Sequence, residues 1–285
     1  GRLGKIENCQ SGVYWAYTST KGYALIDRRL FVPEKWFGQE YEERRKKCKM
    51  PQDLVFKKKP ELANEMIQEV CKSGLFSFRW VTCDTIFGNS PEFLQNLPEH
   101  VFCLAEIAKN RKVWIKPEES RDRKKRPPVS VSDIARDEKV AWKLSKLAEG
   151  AKGPILGFVS RVRVYVDDPG KAENERWLFL RKDPTTEEIK YYFSNAPLDT
   201  SLEEMTRVCS LRWPIEQSFQ EGKSELGMAD YEHRSWPAWH RHMTFVFLAQ
   251  LFLLRIQYVF KKNASFNITP STDVAGSRLT NYPIR

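Results

Sequence analysis

The chain has 285 residues, with 47 Lys and Arg against 37 Asp and Glu, a formal charge of +10. That length can bury a substantial core as one large domain or two small ones, and 41% hydrophobic with 29% charged residues excludes a disordered chain and a membrane protein. The positive surplus points to a polyanion: nucleic acid first, an acidic membrane surface second, with a merely basic surface as the plain alternative. The chain begins at Gly1 without a methionine or a charged-then-apolar leader, which reads as a fragment or a processed chain.

Residues 11–19 and 22–33 are rich in aromatic and β-branched side chains and are separated by Thr20-Lys21-Gly22, the pattern of an antiparallel hairpin. Residues 36–59 are polar and strongly basic, so they read as a solvated loop with at most a short helix. Pro60 to Ser73 carries apolar residues at Leu62, Met66, Ile67, Val70 and Cys71 and is followed by Gly74. Proline in the first turn and glycine past the last one frame a helix. Phe76 to Asp84 predicts a strand, Ser90-Pro91-Glu92 opens a helix to about Leu97, and Val101 to Ile107 predicts another strand. This strand and helix order signals an α/β layer.

Residues 109–129 turn polar, basic and proline-bearing, as a linker does, and Ser132 to Glu149 has helical composition. Residues 154–167, 176–182 and 188–194 predict a strand meander with Asp168-Pro169-Gly170 as one turn. Ser201-x-x-Glu204 is a capping box opening a helix to Ser210. Pro214 starts a second helix to about Leu226, and a third covers 238–258. Residues 262–285 are polar and turn-rich, the composition of a flexible tail. The most apolar stretch, Met243 to Leu254, is 12 residues long, short of the ~20 of a spanning helix, and reads as a buried core helix.

No two of the six cysteines have a C-x-x-C spacing, which argues against a zinc ribbon and for reduced cytosolic thiols. His240 and His242 lie two apart, and residues two apart do not share a helix face, which argues against a metal pair.

Two segments carry chemistry. In Val81-Thr82-Cys83-Asp84-Thr85 an acid stands at the carboxyl end of an apolar strand, where Asp84 suits either a metal ligand or a cap of the next turn. In RWPIEQSFQEGK, Glu216 and Lys223 are seven apart and share a helix face, beside an apolar stripe of Ile215, Phe219, Gly222 and Leu226. That face could hold a metal and a phosphate, or be an ordinary solvated charged edge. Basic runs at 44–49, 57–59 and 121–126, with Trp114, Trp177, Trp213, Trp236 and Trp239 nearby in sequence, suit backbone tracking and base stacking, unless the tryptophans are core. Trp80 and Trp142 read as core, and Trp177 is left as a candidate stacker on an unpaired base.

Taken together, the segments resemble the DDE transposases of bacterial insertion sequences, in the branch with the Y-(2)-R-(3)-E-(6)-K signature. Arg212, Glu216 and Lys223 match its spacing. The phrases RWPIEQSFQEGKSELG, YEHRSWPAWHRHMT, CDTIFGNSPEFLQNL and GRLGKIENCQSGVYWAY look like the insertion-sequence group numbered seven-zero-one, and the resemblance covers nearly the whole chain. It implies an α/β, RNase H-like catalytic core with a β-rich insertion between the second catalytic Asp and the Glu. The implied division is core over 1–108 and 201–260, linker and insertion over 109–200, and tail over 261–285.

The resemblance also implies Mg²⁺-dependent DNA strand cleavage and strand transfer, with two ions in the complete enzyme. Asp84 and Glu216 would be catalytic and metal-binding, and Arg212 and Lys223 would contact DNA phosphates. The partners implied are double-stranded DNA, as insertion-sequence ends and target, and a homodimer in a synaptic complex, with no membrane. The location implied is the bacterial cytoplasm, at the nucleoid. Two departures stand out. The family's first Asp would lie upstream of the segment matching Gly1, so an N-terminally truncated core supplying two of three carboxylates is expected. The tyrosine position of the signature falls on Cys209. A catalytically inactive DNA-binding remnant, or another RNase H-like nuclease, is the competing expectation.

Overall fold

A computed structural model describes residues 9–19, 22–115, 127–150, 153–167, 174–263 and 276–284. In chain order the elements are β1 (Gln10–Ser19), β2 (Gly22–Phe31), α1 (Glu42–Lys47), α2 (Lys59–Ser73), β3 (Trp80–Cys83), α3 (Thr85–Gly88), α4 (Pro91–Gln95), β4 (Phe102–Ile107), β5 (Lys112–Ile115), β6 (Val129–Ser130), α5 (Val131–Ala135), β7 (Lys143–Gly150), β8 (Gly153–Tyr165), β9 (Glu175–Lys182), β10 (Ile189–Ser194), α6 (Leu202–Ser210), α7 (Trp213–Ser224), α8 (Trp236–Asn263) and β11 (Gly276–Ile284). Two compact units result, one from Gly1–Phe78 with Pro214–Arg285 and the other from Arg79–Trp213. These limits differ from the 108/109 and 200/201 boundaries expected above.

The first unit is built on the strands β2-β1-β11, all antiparallel, with β2 at the edge. Val13, Tyr14, Trp15 and Ala16 of β1 are all buried, so both faces of this strand are covered. That explains its nearly unbroken apolar run. One face meets α2, whose buried residues Ala63, Met66, Ile67 and Val70 recur at helical spacing. On the other, Tyr14, Ala16 and Leu25 join Ile215, Phe219, Met228, Trp239 and Met243 from α7, α8 and their connection. Each large side chain buried this way contributes about 1.5–3 kcal/mol. Gln250 is the polar member of this interior: its amide donates to Ser218 Oγ (2.8 Å) and Ser218 O (3.2 Å), and its Oε1 accepts from the Leu25 amide. It ties α7, α8 and β2 together.

The second unit is a mixed sheet in the order β3-β4-β10-β9-β8-β5-β6, with β7 also on β8. β3 and β4 are parallel, whereas β4–β10, β10–β9, β9–β8, β8–β7, β8–β5 and β5–β6 are antiparallel. Its core gathers Ile107, Val113, Val131, Ile134, Val164, Leu178, Leu180, Tyr191 and Phe193. The protein is therefore of mixed α/β content, with parallel and antiparallel pairing in one sheet.

Three expectations are corrected. Ser132 to Glu149 is not one helix: α5 ends at Ala135, and residues 143–150 pair with β8. The expected flexible tail contains β11, which pairs along the full length of β1, from Gln10 opposite Ile284 to Thr18 opposite Gly276. And α8 is not a wholly buried core helix. It buries Trp239, Met243, Val246 and Gln250, while Phe245, Leu248, Phe252 and Phe260 stand exposed. By length and composition α8 is long and apolar enough to cross a membrane, and its buried residues pack one face into the first unit. The Asp168-Pro169-Gly170 turn and the basic run 121–126 lie outside the described residues.

Candidate active site

Asp84 directly follows β3, at the carboxyl end of its four buried residues. It caps α3, its Oδ1 accepting the Ile86 amide at 2.9 Å. The last register pair of β3 and β4 is Cys83 with Ala105, so Asp84 and Glu106 are the next residues on neighbouring parallel strands. The two segments are held tightly. A Cβ on Gly88 would sit 2.0 Å from the carbonyl oxygen of Glu106, closer than any real Cβ contact. Only glycine lets α3 lie on the end of β4, and Asn89 Oδ1 adds a bond from the Ala108 amide.

Arg212 follows α6 and forms an ion pair with Glu106, both side chains being 15% exposed. A charge pair so little exposed to solvent is held by mutual dependence: either partner alone would be an uncompensated charge in a poorly solvated place. The helix that delivers Arg212 is anchored in turn. Ser201 Oγ accepts the Glu204 amide at 3.0 Å. The Glu204 carboxylate turns to Arg207 and to the Trp80 indole of β3 (3.1 Å). The reciprocal half of the expected capping box is thus spent on fastening α6 to β3. Cys209, at the signature's tyrosine position, is buried, and burial pushes its thiol pKa up while Arg181 and Tyr192 lie against it.

Glu216 and Lys223 are both half-buried on α7. The helix is fixed by Ile215 and Phe219 in the core, by the Gln250 bonds to Ser218, and by the Tyr23 hydroxyl donating to Glu221 (3.3 Å). Burial and the neighbouring Glu221 push the Tyr23 pKa up to about 12, so the phenol remains a proton donor throughout the neutral range. Asp84 and Arg212 thus belong to the second unit, and Glu216 and Lys223 to the first.

Trp177 on β9 is 9% exposed, and its indole donates to Pro197 O at 3.0 Å. The guanidinium groups of Arg161 and Arg163 lie 4.2 and 4.7 Å from its ring centroid. Cations over an indole are attracted by its ring face. What β8 and β9 present is a tryptophan covered by arginines rather than an open ring. Trp80 is core as expected, at 1% exposure, and Trp142 packs partly buried against the second unit's core. Sequence reasoning missed Glu106, Arg161 and Arg163. A signal for Glu106 existed: it is the one acid in the apolar run VFCLAEI, near its carboxyl end.

A family model described as DDE superfamily endonuclease matches residues 1–154. The chain belongs to the DDE superfamily endonucleases. The match reaches from β1 into β8 and includes Asp84 and Glu106. No curated protein matches the chain. As a DDE superfamily endonuclease the chain is of a nuclease type, with DNA as the general substrate and divalent metal ions as the general requirement of the family.

Proposed function

We propose that this endonuclease is the catalytic core of an insertion-sequence transposase of the Y-R-E-K branch, similar to the group numbered seven-zero-one. It would cleave DNA strands at the element's ends and transfer them to a target. The carrying observation is Asp84 at the carboxyl end of a parallel strand, combined with Arg212, Glu216 and Lys223 at signature spacing before and along α7. The RNase H-like reading assigns 1–108 and 201–260 to the core and 109–200 to the insertion. The strands β7 to β10, all between Asp84 and Glu216 in sequence, support a β-rich insertion there.

Asp84 and Glu216 are hard carboxylate donors, which suit Mg²⁺ by type. Among the described residues no group of three or more His, Cys, Asp or Glu is gathered for a metal. We assign these two as ligands, with the first Asp of the family pattern as the third carboxylate. The ions would activate the attacking hydroxyl and stabilise the leaving oxygen. Asp84 is held for that role by its cap on α3, and Glu216 by the buried residues beside it on α7. Lys223 would contact a DNA phosphate directly, and Arg212 would do so while held by Glu106. Double-stranded DNA, a dimeric synaptic complex and a cytoplasmic, nucleoid-associated location belong to the same reading.

The test is nicking of supercoiled DNA with Mg²⁺ by the chain preceded by an Asp-bearing strand. Nicking should appear, and Asp84→Ala or Glu216→Ala should abolish it. Unchanged nicking in either variant sinks the site assignment. A DNA-binding remnant without catalysis is the second reading, favoured by the buried Cys209 at the signature position. It predicts DNA binding with no nicking in any of these proteins.

A further inference from the structure

The two faces of α8 meet opposite surroundings. Along one, Trp239, Met243, Val246, Phe247 and Gln250 are buried in the first unit. The helix lies along β2: Arg28 Nη2 donates to His240 O (3.0 Å), the Leu25 amide donates to Gln250 Oε1 (3.4 Å), and a Cβ on Gly22 would meet Leu254 Cδ1 at 2.5 Å. Gly22 is the first residue of β2, so residues 255–263 of α8 run past the hairpin.

On the opposite face Phe245, Leu248, Leu251, Phe252, Tyr258 and Val259 are 45–63% exposed. Phe245, Leu248, Phe252 and Val259 recur at the alternating three- and four-residue steps of a coiled-coil seam, with Arg255 in the remaining place. With ordinary side-chain areas this face offers roughly 600 Å² of apolar surface, as much as the largest patch on a typical monomer. Pairing it with a second copy of itself would remove roughly 1,200 Å² from water, the lower limit of a specific interface, before the exposed Arg241, Thr244 and Arg255 are counted.

The other face and the charges decide the occupant and its direction. To cross a bilayer, α8 would have to leave the core and carry Gln250, now bonded to Ser218, into hydrocarbon. No Asp or Glu occurs between Trp236 and Asn263, so a parallel pair of α8 helices would set Arg255 against Arg255. An antiparallel pair centred between Leu248 and Phe252 sets Arg255 of one copy beside Phe245 of the other, where the ring face attracts a guanidinium. Such a twofold contact is closed and stops at two copies.

We propose that the outer face of α8 is a homodimer interface, in which two copies pack these helices antiparallel about a twofold axis. It supplies the contact surface for the dimer of the transposase reading, and rests on that reading for its use in joining two DNA ends; the pairing itself needs no DNA.

The experiment is sedimentation equilibrium of the full chain without DNA, from about 1 to 100 µM. The mass should rise toward twice that of one chain. Phe252→Glu should hold it at one chain, and the milder Phe252→Ala should weaken the dimer about tenfold. Phe252 is exposed, so the circular dichroism of both variants should match the wild type. Leu75→Glu, at an exposed residue just after α2, should leave the dimer intact. A chain that stays single across the range, or a Phe252→Glu variant that still doubles, overturns the proposal. So does flotation of the single chain with phosphatidylglycerol vesicles that Phe252→Glu abolishes, which makes the face a membrane-surface site. A single chain that nicks DNA when preceded by an Asp-bearing strand refutes the interface and leaves the transposase reading standing. A dimer that never nicks supports the interface and removes that reading.

Discussion

Two residue-scale features have measurable consequences. Glu106 and Arg212 are nearly removed from solvent as a pair. Glu106→Gln should therefore cost about 3 kcal/mol in urea denaturation, because it leaves a guanidinium without its counter-charge. Replacing both by leucine should cost less than the single change. A single variant as stable as the wild type would mean that the pair is solvated. His240 gives a pH dependence. Its folded pKa of about 4 lies below the ordinary 6.5, so the unfolded chain binds the extra proton between those values. The stabilisation is complete above about pH 6.5 and is lost as pH falls toward 4, by at most about 2 kcal/mol once solvent screening of this partly exposed ring is allowed for. His240→Phe should flatten the stability profile across that window. The candidate site was only partly legible at this scale. Asp84, Glu216 and Lys223 could be named from strand ends and spacing. The cap made by Asp84 and the partner of Arg212 depend on contacts between segments far apart in the chain.

Single elements behave as local physics predicts where their partners are near. The helix at Lys59–Ser73 was legible because proline, glycine and apolar spacing all lie within it. The meander β8-β9-β10 was legible from alternation. Residues 143–150 were misread because alanine, lysine, leucine and glutamate favour a helix in isolation. Pairing with β8, from Lys143 opposite Val159 to Gly150 opposite Gly153, outweighs that preference. β11 was missed for a related reason: its partner β1 lies at the other end of the sequence, and its own composition is polar. α6 allows a direct test. Ser201→Ala removes the Oγ that accepts the Glu204 amide and should cost about 1 kcal/mol. Hydrogen exchange should quicken first at the α6 amides. Unaltered exchange there would show that the bonds of Glu204 to Arg207 and Trp80 hold the helix start alone.

At the scale of the whole molecule, the charge of +10 acquires a prediction through its salt dependence. Log affinity for duplex DNA should fall linearly with log salt, and Lys223→Gln should lower the slope by about 0.9, one phosphate contact. An unchanged slope would remove Lys223 from the DNA contacts. The first unit is also discontinuous, closed by residues that follow the entire second unit. During synthesis the β1–β2 hairpin leaves the ribosome long before α7 and α8 exist to cover Tyr14, Ala16 and Leu25. At ordinary elongation speeds that interval is roughly 10–40 s. The nascent hairpin waits through it with an apolar face uncovered, while the second unit, contiguous in the chain, can fold first. Shielding by a chaperone on the ribosome is a need written into the order of the segments.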